Sequence, residues 1–444
     1  MAVLASRLLA PNWQSRGGRK IAKSEVVKNA YLIPTAFLLL HTAVYAEQTP
    51  INCALPHTDT RIDACTNVVN ASELGACIDS SDIAEHTCVV MDKDLSFCDG
   101  SQSINFSAFF DESNKTLDCK GGVIDHGWGE NSSNTIIPTS RGKQTPFVRF
   151  VDDRSLENIN VQNCTMRGTF HAAIQMTRFF GGQLGGDGVI SPGEALPIGH
   201  KNILFQDLRI EGGEVGIYLG NFSEDIDINR VEIDGTDRIA IYSEAGSHKV
   251  RITNSTISNN LTREAIAIDS TYDSEISNTR FINNREGGIN VYQNCGELKG
   301  SVCPVVRSTP PNNNRIVDNT FINNGITGIQ IASRQGRSHS LGWCHSLNGL
   351  PGKFTDTAEN NVVSGNTIEC SDGTALVVMD GPNEIRNNTI NASGTCIPLE
   401  ISTGGLGRSE RDLLNGLVVE ENTILSTRPP RLRNLGDDVL FEQK

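Results

Sequence analysis

The stretch from residue 248 to residue 292 constrains the fold of this chain most, because it contains one short unit twice. The segment Asn254–Ile257 returns as Asn278–Phe281, and the apolar segment Ile266–Asp269 returns as Ile289–Tyr292. Each copy has two short apolar strands separated by an Asn-rich turn. A repeat this short, with strand-like alternation, predicts a solenoid of stacked units. One such unit cannot bury its apolar face alone, so neighbouring units must cover one another.

The unit recurs through most of the chain. An apolar residue that follows an Asn-like position marks each copy, and the shortest intervals between these marks are 22–24 residues. Longer intervals predict coils that carry insertions. The marks are Met166, Ile210, Ile233, Ile257, Phe281, Phe321, Ile368, Ile390 and Ile424.

The motifs NCTM, TNSTI, DNTFI, SGNTI, RNNTI and EENTI, with the opening TLDCKGGVID at residues 116–125, resemble the right-handed parallel β-helix superfamily, which includes pectate-lyase-like and NosD-like proteins. The resemblance covers roughly residues 115–430. It implies an all-β fold, a right-handed parallel β-helix solenoid. Families with this fold include lyases, hydrolases and epimerases that act on polysaccharides, but one fold hosts many functions. This chain lacks the Asp-Pro-His-Asp stretch of alginate epimerases, which disfavours that activity.

The Asn-rich turns have a structural interpretation. Asn tolerates left-handed backbone conformations and can bond its own backbone in sharp turns. Asn side chains at equivalent positions of stacked coils can also form hydrogen-bonded ladders. We therefore assign no catalytic role to Asn254 or Asn278.

The N-terminal residues predict export. Residues 1–29 hold six Lys or Arg and one Glu, and residues 30–46 contain no Asp, Glu, Lys or Arg. Val44 and Ala46 favour cleavage before Glu47, so we expect residues 1–46 to be a basic leader and signal peptide. The mature protein is then secreted, periplasmic or extracellular, and meets a membrane only if the leader stays uncleaved. Loss of the leader's net charge of +5 changes the formal charge from −14 to −19, which argues against nucleic acid as a partner.

The cysteines suggest how the rest of the chain is divided. Twelve cysteines fit an oxidising compartment, and five of them crowd residues 47–114. The open end of a solenoid must be covered, so we predict a disulfide-rich N-terminal cap at 47–114. The β-helix then spans 115–430, and residues 431–444 form a C-terminal cap or tail. The disulfide pairing stays open, with two candidate pairs: Cys295–Cys303 and Cys344–Cys370.

Three insertions interrupt the coils, at residues 178–200, 293–312 and 333–358. Each follows the second apolar strand of its coil. Because coils stack about 4.8 Å apart, all three must leave the same long edge of the solenoid. The coils between the first insertion and the other two have short turns. This arrangement predicts a groove along that edge, although such loops can also shield a dimer face or a strand edge.

The second strands form the floor of the predicted groove. Their copies align as Val215–Gly220, Ile239–Glu244, Ile266–Thr271, Ile289–Asn294 and Ile329–Arg334. Alternate residues of a strand face opposite sides. If the Ile and Val positions face inward, three columns face outward: Gly216, Ala240 and Ala267; then Tyr218, Tyr242, Asp269, Tyr292 and Ala332; then Gly220, Glu244, Thr271, Asn294 and Arg334.

This mixture of tyrosine, carboxylate, amide and arginine predicts a polysaccharide partner. A lyase acting on a uronate polymer needs a cation to neutralise the carboxylate and a base to remove the adjacent carbon-bound proton. We expect catalysis at Tyr242, Glu244, Asp269, Tyr292 and Arg334. We expect substrate binding at Tyr218, Asn294, Arg337 and His339.

Several alternatives remain open at the same groove. A hydrolase needs paired carboxylates, and the alignment places Glu244 and Asp269 one coil and two residues apart, about 8 Å between Cα atoms. The same pair can bind Ca²⁺ through oxygen ligands. The favoured function is a lyase that cleaves an acidic polysaccharide by β-elimination; a hydrolase, a non-catalytic carbohydrate-binding or adhesin-like solenoid and a metal-handling solenoid are the others. The pairs Arg263–Glu264 and Arg285–Glu286 are interpreted as a charge ladder between coils.

Overall fold

The computed structural model describes fourteen ranges of the chain. They are residues 67–78, 87–98, 103–104, 106–126, 146–151, 154–168, 170–176, 199–220, 222–244, 246–293, 309–332, 358–402, 414–433 and 440–443. The predicted leader and signal peptide and the greater part of the three insertions lie outside these ranges, so those predictions stay untested.

The described strands, numbered β1 to β35 in chain order, form three parallel sheets. Thirteen of them make sheet 1. They are β1 (Asn67–Asn70), β2 (Thr87–Val90), β5 (Phe106–Phe110), β8 (Val148–Phe150), β11 (Ala172–Gln175), β14 (Val215–Leu219), β17 (Ile239–Glu244), β20 (Ile266–Asp269), β23 (Ile289–Tyr292), β26 (Thr327–Ile331), β29 (Thr374–Val378), β32 (Ile397–Ile401) and β34 (Arg431–Leu432).

Sheets 2 and 3 share their last long strand. Sheet 2 contains β3 (Leu95–Ser96), β6 (Lys115–Asp118), β9 (Glu157–Gln162), β12 (Lys201–Gln206), β15 (Glu224–Asn229), β18 (His248–Thr253), β21 (Glu275–Ser277), β24 (Arg315–Val317), β27 (Val362–Ser364), β30 (Glu384–Arg386), the start of β33 (Val418–Ser426) and β35 (Leu440–Gln443). Sheet 3 contains β4 (Ser103–Ile104), β7 (Val123–His126), β10 (Thr165–Gly168), β13 (Arg209–Gly212), β16 (Glu232–Asp234), β19 (Thr256–Ser258), β22 (Arg280–Ile282), β25 (Thr320–Ile322), β28 (Thr367–Cys370), β31 (Thr389–Ala392) and the end of β33. A short 3-10 helix spans Ala71–Glu73.

Each regular coil runs through sheet 2, then sheet 3, then sheet 1, and every strand pair is parallel. The register confirms the predicted repeat, because all nine marks stack in one column of sheet 3, from Met166 to Ile424. The rings of Phe281 and Phe321 stack there with 4.6 Å between centroids. This column faces the continuous apolar core, so the spacing of the marks is the length of a coil.

The corner between sheets 2 and 3 explains the Asn-rich turns. Asn254, Asn278 and Asn387 have positive φ there, at 53°, 50° and 57°. The next residue is often a buried Asn whose side chain bonds its counterpart in the following coil. In the longest such ladder the Nδ2 atoms of three residues donate to the next Oδ1 over 2.9–3.1 Å; its members are Asn319, Asn366, Asn388 and Asn422. The predicted left-handed turns and Asn ladders are confirmed.

The coils begin before residue 115, where the β-helix was expected to start. Strands β1, β2 and β5, all within the segment predicted as a cap, pair in parallel with one another and with β8. The alternating apolar residues of these strands, such as Val89 and Ala108, enter the same core. Likewise, β34 and β35 extend sheets 1 and 2 into the predicted tail. The same stacking contacts therefore continue through both terminal segments.

Three disulfides lie in the described part of the chain: Cys77–Cys98, Cys119–Cys164 and Cys370–Cys396. They fit an oxidising compartment. The candidate pair Cys344–Cys370 is wrong, because Cys396 follows the next sheet 3 strand and takes Cys370 as its partner. The candidate pair Cys295–Cys303 lies outside the described residues.

In the ranges that the structure describes, no helix is long and apolar enough to cross a membrane.

We predict that Asn366→Ala lowers the free energy of unfolding by about 2–4 kcal/mol, because it removes buried hydrogen bonds on both sides of one coil. Asn366 accepts bonds from the backbone and side chain of Asn319 and donates to Asn388 and to the Ile316 carbonyl. Chemical denaturation measures the change. The matched control is Asn391→Ala, an exposed residue of β31, for which we expect at most about 0.5 kcal/mol. Equal effects in the two variants would contradict the ladder's role.

Candidate active site on sheet 1

The strands that precede the three predicted insertions all belong to sheet 1. They are β11, β23 and β26. Between these coils, β14, β17 and β20 reach sheet 2 through short turns that end at Glu224, His248 and Glu275. The strands that precede the predicted insertions therefore share one sheet, and the outer face of β14 to β20 lies between β11 and β23.

Two of the three residues in the predicted outward column of small residues, Gly216 and Ala240, face the core. A Cβ added to Gly216 would lie 2.5 Å from the Ala240 carbonyl oxygen and 3.2 Å from the Ile233 side chain, which belongs to the core. Ala240 is also a core residue. The prediction for Gly216 and Ala240 is wrong because two consecutive residues face inward where the chain enters sheet 1. Only Ala267 of that column packs on the outer side.

The same bend shifts the alignment of β20 by two residues. Ile241, not Ile239, pairs with Ile266, so Tyr242 pairs with Ala267 and Glu244 pairs with Asp269. The predicted offset of two residues between Glu244 and Asp269 is therefore wrong. Their Cα atoms lie directly opposite each other on neighbouring strands, a separation of about 4.8 Å, and both side chains leave the outer face.

The observed register gives two columns of outward-facing side chains on sheet 1, a first column and, two residues further along each strand, a second column. The second column contains Glu244, Asp269 and Tyr292 on successive strands. The first column contains Arg149, Gln175, Tyr218, Tyr242, Ala267, Asn290 and Gln330.

Each of the three tyrosines donates a hydrogen bond to a different carboxylate. Tyr218 Oη donates to Glu244 Oε1, and Tyr242 Oη donates to Asp269 Oδ2 over 2.9 Å. Both bonds cross from the first column to the second and advance by one coil. Tyr292 Oη donates to Glu264 Oε1 over 3.0 Å. The structure thus brings together Tyr218, Tyr242, Glu244, Asp269 and Tyr292, as the shared groove floor predicts.

Glu264 and Arg263 are the members of this cluster that the sequence analysis did not place in the site. They lie in the turn before β20, and the expectation for them was a solvent-exposed charge ladder between coils. Glu264 is instead buried, with a side chain 7% exposed, while Arg263 is 40% exposed and its Nε lies 3.4 Å from Glu264 Oε2. The alternation pattern of a strand cannot find such residues, because they precede the strand.

Arg263 is electrostatically joined to the tyrosines. Burial disfavours its charge, but attraction to Glu264, Tyr292 and Tyr242 outweighs burial and raises the pKa of Arg263. Arg263 thus interacts electrostatically with two of the three tyrosines, and its side chain is partly exposed to solvent. It is a cation that an anionic ligand can reach.

The cluster is enclosed although it lies on the outer side of sheet 1. Asp269 is 0% exposed and Tyr242 is 7% exposed, and Tyr218, Glu244 and Tyr292 are buried as well. The tyrosines pack with Ala172, Val215, Ile239 and Ala267 in a cluster separate from the main core. A buried carboxylate is costly unless it is hydrogen-bonded, and the low dielectric that makes it costly also strengthens interactions with an incoming charge.

The remaining predicted residues cannot be placed. Asn294, Arg334, Arg337 and His339 lie outside the described residues. Across the ranges that are described, no group of three or more His, Cys, Asp or Glu side chains is arranged to hold a metal ion. Ca²⁺ binding by Glu244 and Asp269 stays an untested prediction.

A second polar cluster lies at the edge of sheet 1 where its strands begin. His171, Glu214 and Arg238 immediately precede or flank β11, β14 and β17. His171 Nδ1 donates to Glu214 Oε2 over 2.6 Å, and Arg238 Nη1 donates to Glu214 Oε1 over 2.7 Å. The His171 hydrogen bond, with Arg238 assisting and burial opposing, lowers the pKa of Glu214 to about 2. Glu214 is therefore ionised over the whole physiological range.

Comparison with known proteins supports the fold. Residues 150–342 match a family model described as a right handed beta helix region. No curated protein matches the chain.

Several solved structures are similar in fold. Alginate lyase from Paenibacillus sp. str. FPU-7 is 14% identical, with 75% of this chain and 98% of that chain covered and a TM-score of 0.43. A mutant of the periplasmic alginate epimerase AlgG is 12% identical, with 84% of each chain covered and a TM-score of 0.48. The A-module of the mannuronan C-5 epimerase AlgE6 from Azotobacter vinelandii is 12% identical, with 84% and 97% covered and a TM-score of 0.39. At these identities the likeness is one of fold.

We predict that Glu214→Gln lowers the free energy of unfolding at neutral pH by about 1–3 kcal/mol. The folded pKa is depressed, so the stabilisation is present above the ordinary value of 4.5 and is lost as the pH falls toward about 2. As the pH falls from neutral toward about 2, the free energy of unfolding should decrease more steeply for the parent protein than for the variant. Glu232→Gln, which breaks an exposed pair with Arg209, is the control, and parallel curves for Glu214→Gln and the parent would contradict the prediction.

Proposed function

Because this chain is a right-handed parallel β-helix protein, we propose that it is a polysaccharide-active enzyme that works on the outer face of sheet 1. The observation that carries the proposal is the set of three tyrosine–carboxylate hydrogen bonds on β14, β17, β20, β23 and the turn before β20, with Arg263 paired to one of the carboxylates, Glu264. Paired titratable groups that are enclosed together are typical of catalytic sites. A solvated solenoid face needs no such arrangement.

The geometry suits a long substrate. Strands of successive coils present equivalent side chains about every 4.8 Å, so a polymer lying along the solenoid passes over the buried Tyr218 and Tyr242 and meets the partly exposed Asn290. Aromatic rings, amides and carboxylates are the groups that contact sugar faces and hydroxyls. The coils on either side carry the insertions, which leaves this stretch as the floor between them.

The finer proposal is β-elimination on a uronate-containing polymer. Arg263 neutralises the sugar carboxylate, which makes the adjacent carbon-bound proton easier to remove. Tyr292 takes that proton while its own phenolic proton passes to Glu264, to which it is already bonded. The C–O bond to the next sugar breaks as the C=C bond forms, and the leaving oxygen takes a proton from water. The proton held by Glu264 then neutralises the hydroxide that remains, which restores the site.

Hydrolysis is a second candidate because of the register of Glu244 and Asp269. Carboxylates directly opposite on neighbouring strands start from a Cα separation of about 4.8 Å, and retaining glycosidases use carboxyl groups about 5–5.5 Å apart. Each carboxylate has its own tyrosine donor, so their environments can differ as an acid and a nucleophile require. In that case Glu244 and Asp269, and not Tyr292, are essential.

A single incubation separates the two reactions. The exported chain, residues 47–444, is mixed with a panel of uronate polymers, with and without Ca²⁺. We expect ultraviolet absorbance from the unsaturated sugar end that β-elimination leaves. New reducing ends without that absorbance would replace the lyase with a hydrolase. Binding of a polymer without either product would overturn the enzyme proposal and favour a carbohydrate-binding or adhesin-like protein.

We predict that Tyr292→Phe and Glu264→Gln each lower kcat of the lyase by about 10²–10⁴-fold, the usual contribution of a positioned acid or base. Steady-state kinetics on the polymer identified by the panel measures the loss. Tyr272→Phe and Glu232→Gln are the matched controls, since both residues lie outside the cluster, on other sheets or turns. Full activity of Tyr292→Phe together with an inactive Glu244→Gln variant would contradict the lyase mechanism. It would support hydrolysis by Glu244 and Asp269.

A further inference from the structure

One aromatic residue at the corner between sheets 1 and 2 has a backbone conformation that its side chain disfavours. Phe222 lies in the turn between β14 and β15 and has a φ of 56°. A positive φ brings the Cβ of an L-residue too close to the backbone, so a bulky side chain there is an outlier. In the described ranges, Phe222 is the one apolar residue among the non-glycine residues with positive φ. The turn alone does not explain why a phenylalanine stands at this position.

The next coil leaves room for the Phe222 ring. The register of β15 and β18 sets Glu224 beside His248, so Phe222 and Gly246, each two residues earlier, occupy equivalent places in successive coils. A Cβ added to Gly246 would lie 2.5 Å from both Cδ1 and Cε1 of Phe222. Gly246 also has a left-handed φ of 80°, which suits glycine. The ring therefore rests on the Gly246 backbone, and because Phe222 is only half-buried, part of its side chain meets solvent.

The Phe222 ring borders the candidate active site. Gly246 follows Glu244 by two residues, so their Cα atoms are at most about 7 Å apart. Glu244 pairs with Asp269 in the second column and accepts the hydrogen bond of Tyr218. Tyr218 belongs to β14, the strand that leads into the Phe222 turn. A polymer held at the second column can therefore place a neighbouring sugar residue over the ring.

We propose that Phe222 is a binding platform for one sugar residue of the polymer, beside the reacting residues. The face of an aromatic ring is negative, and it attracts the positively polarised C–H groups on the flat face of a sugar ring. Residues held in disfavoured backbone conformations cluster at ligand-binding and active sites, which is consistent with this role. The inference rests on the proposed function for the class of ligand.

The simpler account is that Phe222 only covers the corner by apolar packing on Gly246. Leucine would serve that purpose as well, but it lacks the flat ring that a sugar face contacts. Asparagine would relieve the left-handed conformation, which it tolerates, and would remove both the packing and the ring. The packing account therefore predicts that Phe222→Leu binds the polymer normally, and the platform predicts that it does not.

The experiment measures, by calorimetry, the binding of short oligogalacturonate and oligomannuronate to the full exported chain carrying Tyr292→Phe to prevent turnover. We expect Phe222→Leu and Phe222→Asn each to weaken binding about tenfold, which corresponds to about 1.4 kcal/mol. Phe222→Tyr, which keeps the ring, should bind as the parent does. Tyr272→Leu is the matched control, because it removes a ring at the same corner that already stacks on His248, with 4.8 Å between centroids.

Steady-state kinetics without the Tyr292→Phe change gives a second measurement. A contact made equally in the ground state and the transition state affects KM and leaves kcat unchanged. Because the platform lies beside the reacting residues and not among them, Phe222→Leu should raise KM about tenfold at constant kcat. A loss of stability alone would not produce that separation of KM from kcat.

Three results would overturn the platform. They are unchanged affinity in either folded variant, Phe222→Leu or Phe222→Asn; an equal loss of affinity in Tyr272→Leu; and no binding of either oligomer by the Tyr292→Phe protein. The platform and the enzyme proposal fail separately. Turnover by the parent protein with normal KM in Phe222→Leu refutes the platform alone, whereas Phe222-dependent binding without turnover in any protein supports the platform and refutes the enzyme.

Discussion

Backbone hydrogen bonding between parallel strands of successive coils is the constraint on which the rest of this structure depends. Each coil is held to its neighbours at one strand spacing, so a residue type that recurs in the sequence becomes a column in space. The Ile and Phe column of sheet 3 and the Asn ladder at the adjacent corner are two products of the same rule. Left-handed turns before the Asn residues let the chain change direction without breaking the pairing.

The same rule builds the candidate site. Tyrosines and carboxylates on neighbouring strands lie one coil apart, which is the distance a tyrosine hydroxyl spans to reach the next column. Burial makes these bonds necessary, since an enclosed carboxylate without donors is costly. Enclosure also strengthens the electrostatic interactions of the buried carboxylates. Stability of the cluster and its proposed chemistry thus depend on one set of contacts.

Prediction from the sequence succeeded where the period was regular. The marks from Met166 to Ile424 identify the coils because each must fill the same slot in the core. It failed at Gly216 and Ala240, where two consecutive residues turn inward and strict alternation no longer holds. That bend moved the partner of Glu244 by two residues. Glu264 was missed for a related reason, since it lies before the strand and carries no strand pattern.

The sequence by itself determined that the chain is a stacked solenoid and where its coils turn, because these properties follow from local periodicity and turn chemistry. Only the tertiary structure decided which tyrosine meets which carboxylate. Those bonds join residues 26, 27 and 28 positions apart, and an error of two residues in the register reassigns them. The pairing is set by the strand register between neighbouring coils at the inward bend. The sequence of a single repeat does not contain that information.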